Sequence, residues 1–458
     1  MARGKKAASA LSPEEKLQQA LVPTEEQPYP IPENWCWVKL GKLYKINPKV
    51  TADDTVLASF VPMERIEAGM TGRFTFEIRP WGKARKNHTQ FADGDVAFAK
   101  ISPCFENQKS MVIQGLTNGI GGGTTELIIL RQPLMNQKYT FLLVSTEDFI
   151  SRGSATYSGT VGQQRISMDF VKGYYVPVPP LAEQQRIVDR IESLFAKLDE
   201  AKEKAQAVVD GFELRKSAIL HKAFSGELTE RWRKEHGVEL KGWQETNIDS
   251  ISDVKGGKRV PKGMSLTTDD TGHPYLKAGN LKLGTVLDEG IMFVPDDVWQ
   301  YIKNYTVNAG DVYITNVGAC IGDCGIIPDK YDGANLTENA VKMTNLKCNS
   351  QFLAWYLSSN GVQQRIKNLI ASATLGKLSI TNIKTIPISL PTSEEQREIV
   401  FILDKLFRKE QQAQSAAEAV LSQIDTMKKA ILARAFCGGL GTNDPAEEWA
   451  GALVKAVL

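Results

Sequence analysis

The stretch Leu181-Ala-Glu-Gln-Gln-Arg-Ile-Val188 recurs later in the chain as Ser393-Glu-Glu-Gln-Arg-Glu-Ile-Val400. A second pair, Ser217-Ala-Ile-Leu-His-Lys-Ala-Phe-Ser-Gly-Glu-Leu228 and Lys429-Ala-Ile-Leu-Ala-Arg-Ala-Phe-Cys-Gly-Gly-Leu440, keeps the same offset of 212 residues. A match of this length without a gap indicates an internal duplication. We therefore interpret the chain as two related halves.

Each repeated stretch has the pattern of a long helix. Apolar residues alternate three and four positions apart in both copies, as in the seam of a coiled coil. Prolines precede both stretches and glycines follow them, while Ser393 and Gln396 fit a capping box. We expect two helices of about 43 residues, each about 65 Å long. The predicted positions of the helix seam and subunit interface are Ile187, Ile191, Leu194, Leu198, Ile399, Leu403, Leu406, Val420 and Ile424.

Alanines along the middle of both seams allow two helices to approach closely, so we predict that the two helices pair with each other in antiparallel orientation. The alternative is a pair of ordinary core helices within one domain. Antiparallel pairing would relate the two halves by a pseudo-two-fold axis, and a DNA duplex has an axis of the same kind. Such a protein would suit two separated half-sites.

A strand-rich segment of about 145 residues precedes each helix. Gly94-Asp-Val-Ala-Phe-Ala-Lys100 in the first segment is echoed by Gly310-Asp-Val-Tyr-Ile-Thr-Asn316 in the second. The predicted fold class is α+β (mixed α/β), with two similar globular domains separated by two long antiparallel coiled-coil helices. The predicted divisions are an N-terminal extension with a short helix (1–34), a first globular domain (35–180), a first helix with its linker (181–240), a second globular domain (241–391), a second helix (392–440) and a C-terminal tail (441–458).

The composition is that of an ordinary soluble globular protein, with 458 residues, 42% hydrophobic residues and a net charge of +2. No apolar run approaches the ~18 residues that span a bilayer. The basic N-terminus lacks the apolar segment of a signal peptide, so we expect a cytoplasmic protein with no membrane partner. The six cysteines complete no metal-ligand pattern, which predicts reduced thiols and no metal site.

Patterns typical of catalysis are missing from the sequence. The four histidines form no H-E-x-x-H arrangement, and no Walker-type loop occurs. The chain also lacks the Asp/Asn-Pro-Pro-aromatic tetrapeptide and the Phe-x-Gly-x-Gly loop of adenine methyltransferases. Gly119-Ile-Gly-Gly-Gly123 precedes a strand instead of a helix, so we predict a turn there and no dinucleotide site. We expect a protein that is not catalytic alone and binds no cofactor.

Several basic and polar clusters could contact DNA. Arg79-Pro-Trp-Gly-Lys-Ala-Arg-Lys-Asn-His88 is predicted to be a loop that enters a groove, with a solvated basic loop as an equal alternative. The stretch 255–262 is a similar cluster, and the polar segments 151–160 and 372–377 suit phosphate positioning. The candidate DNA-binding residues are Arg79, Lys83, Arg85, Lys86, Asn87, Lys100, Arg152, Thr160, Gln163, Arg165, Lys255, Lys258, Arg259, Lys277, Asn280, Asn316, Thr374 and Lys377.

Three stretches resemble signatures of the specificity subunit of type I restriction–modification systems. They are Pro-Pro-Leu-Ala-Glu-Gln-Gln-Arg-Ile-Val at 179–188, Ala-Phe-Ser-Gly-Glu-Leu-Thr-Glu-Arg-Trp-Arg at 223–233 and Ala-Lys-Ile-Ser-Pro-Cys-Phe-Glu-Asn-Gln-Lys at 99–109. Glu126 in Gly123-Thr-Thr-Glu126 and the stretch 274–280 are also similar to that family. The resemblance covers nearly the whole chain. A departure from it is Asn316, which stands where the first half has Lys100.

This resemblance implies two target recognition domains, each reading one half of a bipartite sequence in double-stranded DNA, and a helix pair that fixes the spacer. It implies two methylation subunits docked on the helices, with restriction subunits joining for cleavage. Methylation of adenine with S-adenosylmethionine, and translocation with ATP and Mg, would belong to those partners.

Two other classes of function stay open. One is a coiled-coil scaffold whose globular domains bind proteins, and the other is a stand-alone nuclease or methyltransferase. Charge favours a DNA role for the first half, since residues 36–180 contain 17 basic and 12 acidic residues. Residues 241–390 contain 15 and 14, so the second half is nearly neutral.

Overall fold

The computed structural model describes residues 12–160, 162–371 and 376–458. These residues divide into two compact units. The first unit contains the described residues up to Ala205 together with Ala419–Leu458, and the second unit contains those of Gln206–Glu418. The two long helices therefore each contribute to both units. No helix in the described ranges is both long enough and apolar enough to cross a membrane.

The first unit combines short strands with short helices. Its strands are β1 (Cys36–Lys39), β2 (Lys45–Ile46), β3 (Leu57–Val61), β4 (Glu77–Pro80), β5 (Thr89–Ala92), β6 (Val96–Ala99), β7 (Ser110–Val112), β8 (Ile120–Gly123), β9 (Leu127–Arg131) and β10 (Tyr175–Val178). Its helices are α1 (Pro13–Ala20), α2 (Leu40–Leu43), α3 (Trp81–Arg85), α4 (Gln137–Val144), α5 (Glu147–Ser154) and α6 (Met168–Gly173), followed by the start of α7 (Leu181–Asp210).

The second unit has the same mixture of elements. Its strands are β11 (Gln244–Asn247), β12 (Asp253–Gly256), β13 (Pro274–Leu276), β14 (Leu281–Lys282), β15 (Thr285–Val286), β16 (Met292–Phe293), β17 (Val312–Thr315), β18 (Cys324–Ile326), β19 (Asn335–Leu336), β20 (Ala340–Thr344) and β21 (Pro387–Leu390). Its helices are α8 (Phe212–Phe224), α9 (Glu230–His236), α10 (Ile248–Ile251), α11 (Asp296–Ile302), α12 (Ser350–Ser358), α13 (Asn360–Ala371) and α14 (Ile380–Lys384). The chain then continues through α15 (Ser393–Phe436) and ends in the first unit with α16 (Gly451–Val457).

Both units repeat one sheet plan. The first unit has an antiparallel sheet of order β2-β9-β6-β7 and a second sheet of order β4-β3-β8-β5, in which β3 and β8 are parallel. The second unit has the corresponding sheets β12-β20-β17-β18 and β16-β13-β19, in which β13 and β19 are parallel. A strand near the start and one near the end of each globular segment also pair, β1 with β10 and β11 with β21. The shared plan confirms the internal duplication and the α+β class.

The echoed Gly-Asp-Val sequence explains how each central strand begins. Gly94 has a φ of +92° and Gly310 a φ of +83°, a left-handed conformation that favours glycine. The carboxylates of Asp95 and Asp311 then accept hydrogen bonds from the backbone amides three residues earlier, at 2.8 Å and 2.9 Å. Strands β6 and β17 follow, and both are buried throughout because neighbouring strands and packed layers cover them.

The long helices pair in antiparallel orientation within the first unit. Near the start of α7, the Arg186 Nε atom donates to the Thr442 carbonyl oxygen, just beyond α15, at 2.9 Å. Further along α7, Asp199 accepts from Lys428 Nζ of α15 at 2.6 Å. The residue numbers of the partners on the α15 side thus decrease as the residue numbers along α7 increase, so the two helices are antiparallel.

The second unit has the same order of contacts. The Arg215 Nε atom of α8 donates to the Glu410 carboxylate of α15 at 2.7 Å. Beyond α8, the Thr229 hydroxyl donates to the Glu395 carboxylate, near the start of α15, at 2.7 Å. The prediction of two long antiparallel helices is therefore confirmed in each unit.

The first long helix differs from its prediction as one continuous element. It is interrupted at Gly211, between α7 and α8, whereas α15 runs uninterrupted for 44 residues. Glycine is a poor helix former, and the second copy has Gln423 at this position. The Arg215 Nη2 atom donates to the Val208 carbonyl oxygen at 2.8 Å, which satisfies a backbone group next to the interruption.

A glutamine joins the start of each long helix to the globular part of its unit. Its side-chain amide donates to the carbonyl oxygen of a preceding proline and accepts from the backbone N–H of an asparagine that caps another helix. The two sets are Gln184 with Pro179 (3.0 Å) and Asn136 (2.9 Å), and Gln396 with Pro391 (2.9 Å) and Asn349 (2.8 Å). The predicted capping box of Ser393 with Gln396 is wrong because Gln396 makes these bonds. Thr392 caps α15 instead, accepting from the Glu395 backbone N–H at 3.3 Å.

The glutamate before each glutamine, Glu183 or Glu395, is completely buried. Each accepts a hydrogen bond from the indole N–H of a tryptophan at the start of its globular segment and from a threonine beyond the other long helix. The bonds are Trp35 to Glu183 (2.7 Å), Thr442 to Glu183 (3.3 Å), Trp243 to Glu395 (3.0 Å) and Thr229 to Glu395 (2.7 Å). We call each glutamate–glutamine pair with these partners a helix-start clasp.

The two clasps differ in charge. In the second unit, Arg233 is buried and donates to Glu395 at 2.7 Å, so the carboxylate is paired. In the first unit, burial raises the pKa of Glu183, while hydrogen bonds from Trp35 and Thr442 oppose that rise.

A glycine-rich strand positions α3 in the first unit. The stretch Gly119–Gly123, predicted to be a turn, contains β8, which lies between β3 and β5. A Cβ atom on Gly122 would lie 2.1 Å from the Ala84 carbonyl oxygen of α3, and one on Gly121 would lie 2.4 Å from the Phe91 ring. The glycines are therefore required by the close approach of α3 and its neighbours to the sheet.

Replacing Glu395 by alanine should destabilise the protein strongly. The change leaves Arg233 buried without its carboxylate, and removing one partner of a buried ion pair costs about 3–5 kcal/mol. We expect a clear fall in the midpoint of urea unfolding followed by circular dichroism. The matched control is Glu394→Ala, because Glu394 is exposed and its ion pair with Arg397, at 3.7 Å, is long and accessible to solvent. A Glu395→Ala protein as stable as this control would show that the clasp contributes little.

Replacing Gly122 by alanine should lower the thermal unfolding midpoint. The new Cβ atom would overlap a backbone oxygen that no rotamer change can move, and overpacking of this kind costs about 1–3 kcal/mol. Gly173→Ala is the control, since a Cβ atom there would meet nothing within 4 Å. Equal midpoints for the two variants would contradict the close packing of α3 on β8.

Candidate nucleic-acid interface

The basic stretch 79–88 is not the predicted loop. Arg79 lies in β4, and α3 follows directly, so the stretch is a strand end, a short helix and a turn. Trp81 is fully buried and packs with Phe60 and Ala84. The prediction of a loop that presents an aromatic side chain to a groove is therefore wrong, because the tryptophan holds α3 against the sheet.

Carboxylates pair with both arginines of this stretch. Arg79 donates to Glu77 at 2.7 Å, and its guanidinium carbon lies 3.7 Å from the centre of the Phe60 ring. Arg85 donates to Asp54 through Nε at 2.8 Å and through Nη2 at 3.1 Å. Much of the positive charge of these two arginines is thus offset within the chain.

The remaining candidates of this stretch, Lys83, Lys86 and Asn87, are exposed. Within the described ranges, no carboxylate forms an ion pair with Lys83 or Lys86. Asn87 has a φ of +58°, in the left-handed region that asparagine tolerates. These side chains surround the turn after α3, where the lysines can meet a phosphate backbone.

A second group lies where β6 ends and β9 begins, and it unites candidates that are far apart in sequence. Arg165 donates to the Glu126 carboxylate through Nε and Nη2, both at 2.8 Å, and through Nη1 to the Gln163 carbonyl oxygen at 2.9 Å. The Lys100 backbone N–H donates to the Glu126 carbonyl oxygen at 2.8 Å, and Gln163 closes a turn onto Thr160 at 2.9 Å. We call Lys100, Glu126, Gln163 and Arg165 the first sheet-edge cluster.

The hydrogen bonds from Arg165, together with the nearby charge of Lys100, hold the pKa of Glu126 below its usual value although burial opposes this. Glu126 therefore stays ionised at neutral pH. The side chain of Glu126 is 21% exposed and that of Arg165 is 42% exposed, so the arginine is the more accessible partner.

Arg152 does not lie in the predicted polar loop. It belongs to α5, is 3.6 Å from Asp148 and lies over the Tyr174 ring at 5.4 Å. The Thr156 hydroxyl of the same segment donates to the Gly153 carbonyl oxygen at 2.7 Å. The first part of the segment 151–160 is therefore the end of a helix and not a loop, which corrects its predicted conformation, while its role in phosphate positioning stays a prediction.

The second unit has a related group at the corresponding sheet edge. The Nε atom of Arg259 donates to Glu338 at 2.5 Å. Glu338 lies two residues before β20, whereas Glu126 immediately precedes β9. The Asn316 backbone N–H donates to the Asn339 carbonyl oxygen at 3.0 Å. Burial raises the pKa of Glu338, but the hydrogen bond from Arg259 helps to hold it below its usual value. We call Lys258, Arg259, Asn316 and Glu338 the second sheet-edge cluster.

The candidate lysines of the second unit, including Lys258 of the second sheet-edge cluster, differ in their surroundings. Lys255 is 3.4 Å from Asp253, and Lys258 lies over the Tyr305 ring at 5.5 Å. Lys277 is half-buried and Lys377 is exposed, whereas Thr374 lies outside the described residues.

Asn280 is a structural residue, and its prediction as a DNA contact is wrong. It is buried, accepts from the Lys277 backbone N–H at 3.2 Å and donates to the Glu289 carbonyl oxygen at 3.0 Å. Because both ends of its amide hold a turn, none is left to read a base.

The predicted subunit-interface positions fall into two groups. Five are buried in the cores of this chain and cannot contact a partner subunit, which corrects that part of the prediction. They are Ile187, Ile191, Ile399, Leu403 and Ile424. The others keep exposed surface, partial for Leu194, Leu198 and Leu406 and large for Val420.

The sequence analysis predicted none of the carboxylates of these ion pairs as the partner of an arginine, and it named Glu126 only as part of the family resemblance. Glu338 lies 212 residues after Glu126, the offset of the helix repeat, but the strand register places Asn339 at the position of Glu126, so this offset does not predict the ion pair. Asp54 and Glu77 carry no sequence signal of their ion pairs either.

The described residues contain no group of three or more histidine, cysteine or acidic side chains that could hold a metal ion. Burial raises the pKa of the Cys36 and Cys324 thiols to about 12.

Comparisons with known proteins agree with the duplicated plan. Residues 32–209 and 240–419 each match the family model described as type I restriction modification DNA specificity domain. The chain is 36% identical over 217 residues to the type I restriction enzyme EcoAI specificity subunit of Escherichia coli, covering 46% of this chain and 37% of that relative. It is also 36% identical over 218 residues to the EcoEI specificity subunit of Escherichia coli, covering 46% and 36%. The chain thus spans little more than a third of the length of these relatives.

A similar fold occurs in a solved structure, the HsdS subunit from Thermoanaerobacter tengcongensis. It aligns with a TM-score of 0.68 at 19% identity, covering 91% of this chain and all of that one. The two family matches together span more than three quarters of the sequence. The chain therefore belongs to the type I restriction–modification DNA specificity family.

Proposed function

We propose that this chain is the sequence-recognition subunit of a type I restriction–modification complex and carries out no reaction itself. Each unit reads one half of a bipartite target in double-stranded DNA. The observation that carries the proposal is that the family match falls twice, on two units with one sheet plan. A duplicated reader fits a target with two half-sites.

Charge placement supports contact with DNA. The exposed Lys83 and Lys86, beside the turn after α3, can bind phosphates without first losing a carboxylate partner. The arginines paired with carboxylates offer N–H donors that point in fixed directions, while the nearby carboxylates offset much of their positive charge. The near-neutral net charge of +2 fits a subunit that depends on partners to enclose the duplex.

We further propose that the paired helices set the spacer and dock two methylation subunits, to which restriction subunits are added. Leu214 of α8, Phe401 of α15 and Val420 of α15 are exposed large apolar side chains, and we assign them to this docking surface. Adenine methylation with S-adenosylmethionine, and DNA translocation with ATP and Mg, would belong to those partners in the cytoplasm.

The direct test is DNA protection by the chain purified together with its methylation subunits. We expect one bipartite sequence to be protected, with two short half-sites and a fixed spacer. Equal affinity for all duplex sequences would contradict the proposal. Loss of all DNA contact with protein partners retained would favour the scaffold alternative.

Lengthening both long helices should change the spacer alone. Seven residues add about 10.5 Å to a helix, or about 3 base pairs at 3.4 Å each. We would insert one heptad between Ala205 and Gln206 and another between Glu418 and Ala419, where the chain passes from one unit to the other.

Mapping of methylated sites should then show unchanged half-sites separated by about 3 additional base pairs. Inserting the heptad only in α15 is the control, since it breaks the pairing register and should abolish methylation. An unchanged spacer in the double insertion would refute the role of the helices in setting it.

A further inference from the structure

Each sheet-edge cluster pairs an arginine with a glutamate, but the two arginines come from different parts of the chain. Glu126 immediately precedes β9 and Glu338 lies two residues before β20, the strands that pair with the central strands β6 and β17, so the two glutamates are near the same strand end but one position apart in register. Arg165 comes from the segment before α6, whereas Arg259 comes from the segment after β12. Two unrelated segments thus deliver a guanidinium to the same edge of one framework, where each meets a different glutamate.

The contacts of Arg165 fix its orientation. A guanidinium has five N–H donors, and Arg165 uses three of them on Glu126 and Gln163. One N–H remains on each terminal nitrogen, on a side chain that is 42% exposed. A pair of donors on a planar, oriented group matches the paired acceptors O6 and N7 of guanine in the major groove.

Arg259 is oriented in a simpler way. Its Nε atom donates to Glu338, and within the described ranges its terminal nitrogens make no hydrogen bond. Its side chain is 76% exposed, against 28% for Glu338. Both terminal nitrogens are therefore available to one base edge.

The carboxylates favour a base over a phosphate as the ligand. A glutamate within hydrogen-bond distance offsets the charge of the arginine and repels a phosphate, while it leaves the direction of the remaining N–H groups intact. The backbone contacts are better served by the exposed Lys83 and Lys86.

We propose that Arg165 and Arg259 each read a guanine in the half-site bound by their unit, and that Glu126 and Glu338 are positioning residues that orient them. This inference rests on the proposed function and adds one defined base to each half-site.

The test uses the full chain produced with its methylation subunits and maps methylated adenines across the host genome. Arg165→Ala should relax one G·C position in one half-site and leave the other half-site intact, and Arg259→Ala should do the reverse. A bidentate contact predicts a loss of discrimination at that position of about 5- to 150-fold. Glu126→Gln should relax the same position as Arg165→Ala by a smaller factor.

Salt dependence separates base contacts from phosphate contacts. Loss of a base contact should leave the slope of log affinity against log salt unchanged, whereas loss of a phosphate contact lowers it by about one. The matched controls are Arg73→Ala in the first unit and Arg231→Ala in the second. Both arginines form exposed pairs, with Glu67 at 2.9 Å and with Glu235 at 2.8 Å. The controls should keep the wild-type motif, and thermal melting of every variant identifies folding defects.

Three results would overturn the inference. They are an unchanged motif in both arginine variants, relaxation at a position that is not G·C, and a uniform loss of affinity with a lower salt slope. A wild-type complex that shows no bipartite motif would instead refute the proposed function, so the two failures are distinguishable.

Discussion

The buried hydrogen bonds at the start of each long helix hold the rest of the structure in place. A carboxylate removed from water is costly unless it is fully hydrogen-bonded, and Glu183 and Glu395 achieve this with donors from distant segments. The tryptophan comes from the start of the globular segment and the threonine from beyond the other long helix. One buried carboxylate therefore connects three segments: the start of its long helix, the start of the globular segment and the segment beyond the other long helix. The adjacent glutamine connects a fourth segment, because it accepts from the asparagine that caps a helix of the globular part.

This arrangement explains why the repeat is so easy to see at these positions. The glutamate and the glutamine each form hydrogen bonds with more than one partner outside the helix, and no other pair of residues could replace all of these bonds. Both copies of the repeat therefore keep this pair. The sheets need only apolar residues of suitable size, and their sequences could diverge while the strand order stayed the same. The duplication, the long helices and the mixed fold class were accordingly predictable from sequence.

Other features were not predictable because they depend on contacts between distant residues. Pro80 and Gly82 indicated a loop around Trp81, but packing on a glycine strand 40 residues away produces a short helix. Asn280 looked like a base reader, yet the turn it holds consumes its amide. The ion pair of Arg165 with Glu126 joins segments 39 residues apart. No local sequence pattern indicates that these two side chains meet. Local pattern thus identified the candidate cations, while tertiary structure decided which of them are free.

The pairing also changes the meaning of the net charge. Under the proposed function, lysines without carboxylate partners would supply long-range attraction to DNA, whereas the paired arginines would supply direction with little net charge. A near-neutral chain can therefore contain a DNA-contacting surface, because the two tasks fall to different side chains.

The composition of the first unit has a consequence for the order of synthesis. That unit includes residues 419–458, and its clasp uses Thr442, whereas the second unit is complete at residue 418. During translation, all residues of the second unit are made before the first unit can close. Leu432 and Phe436, which fill the core of the first unit, leave the ribosome only after the whole of the second unit. The part of the first unit before residue 206 must wait for residues 419–458, which reverses the usual order of vectorial folding.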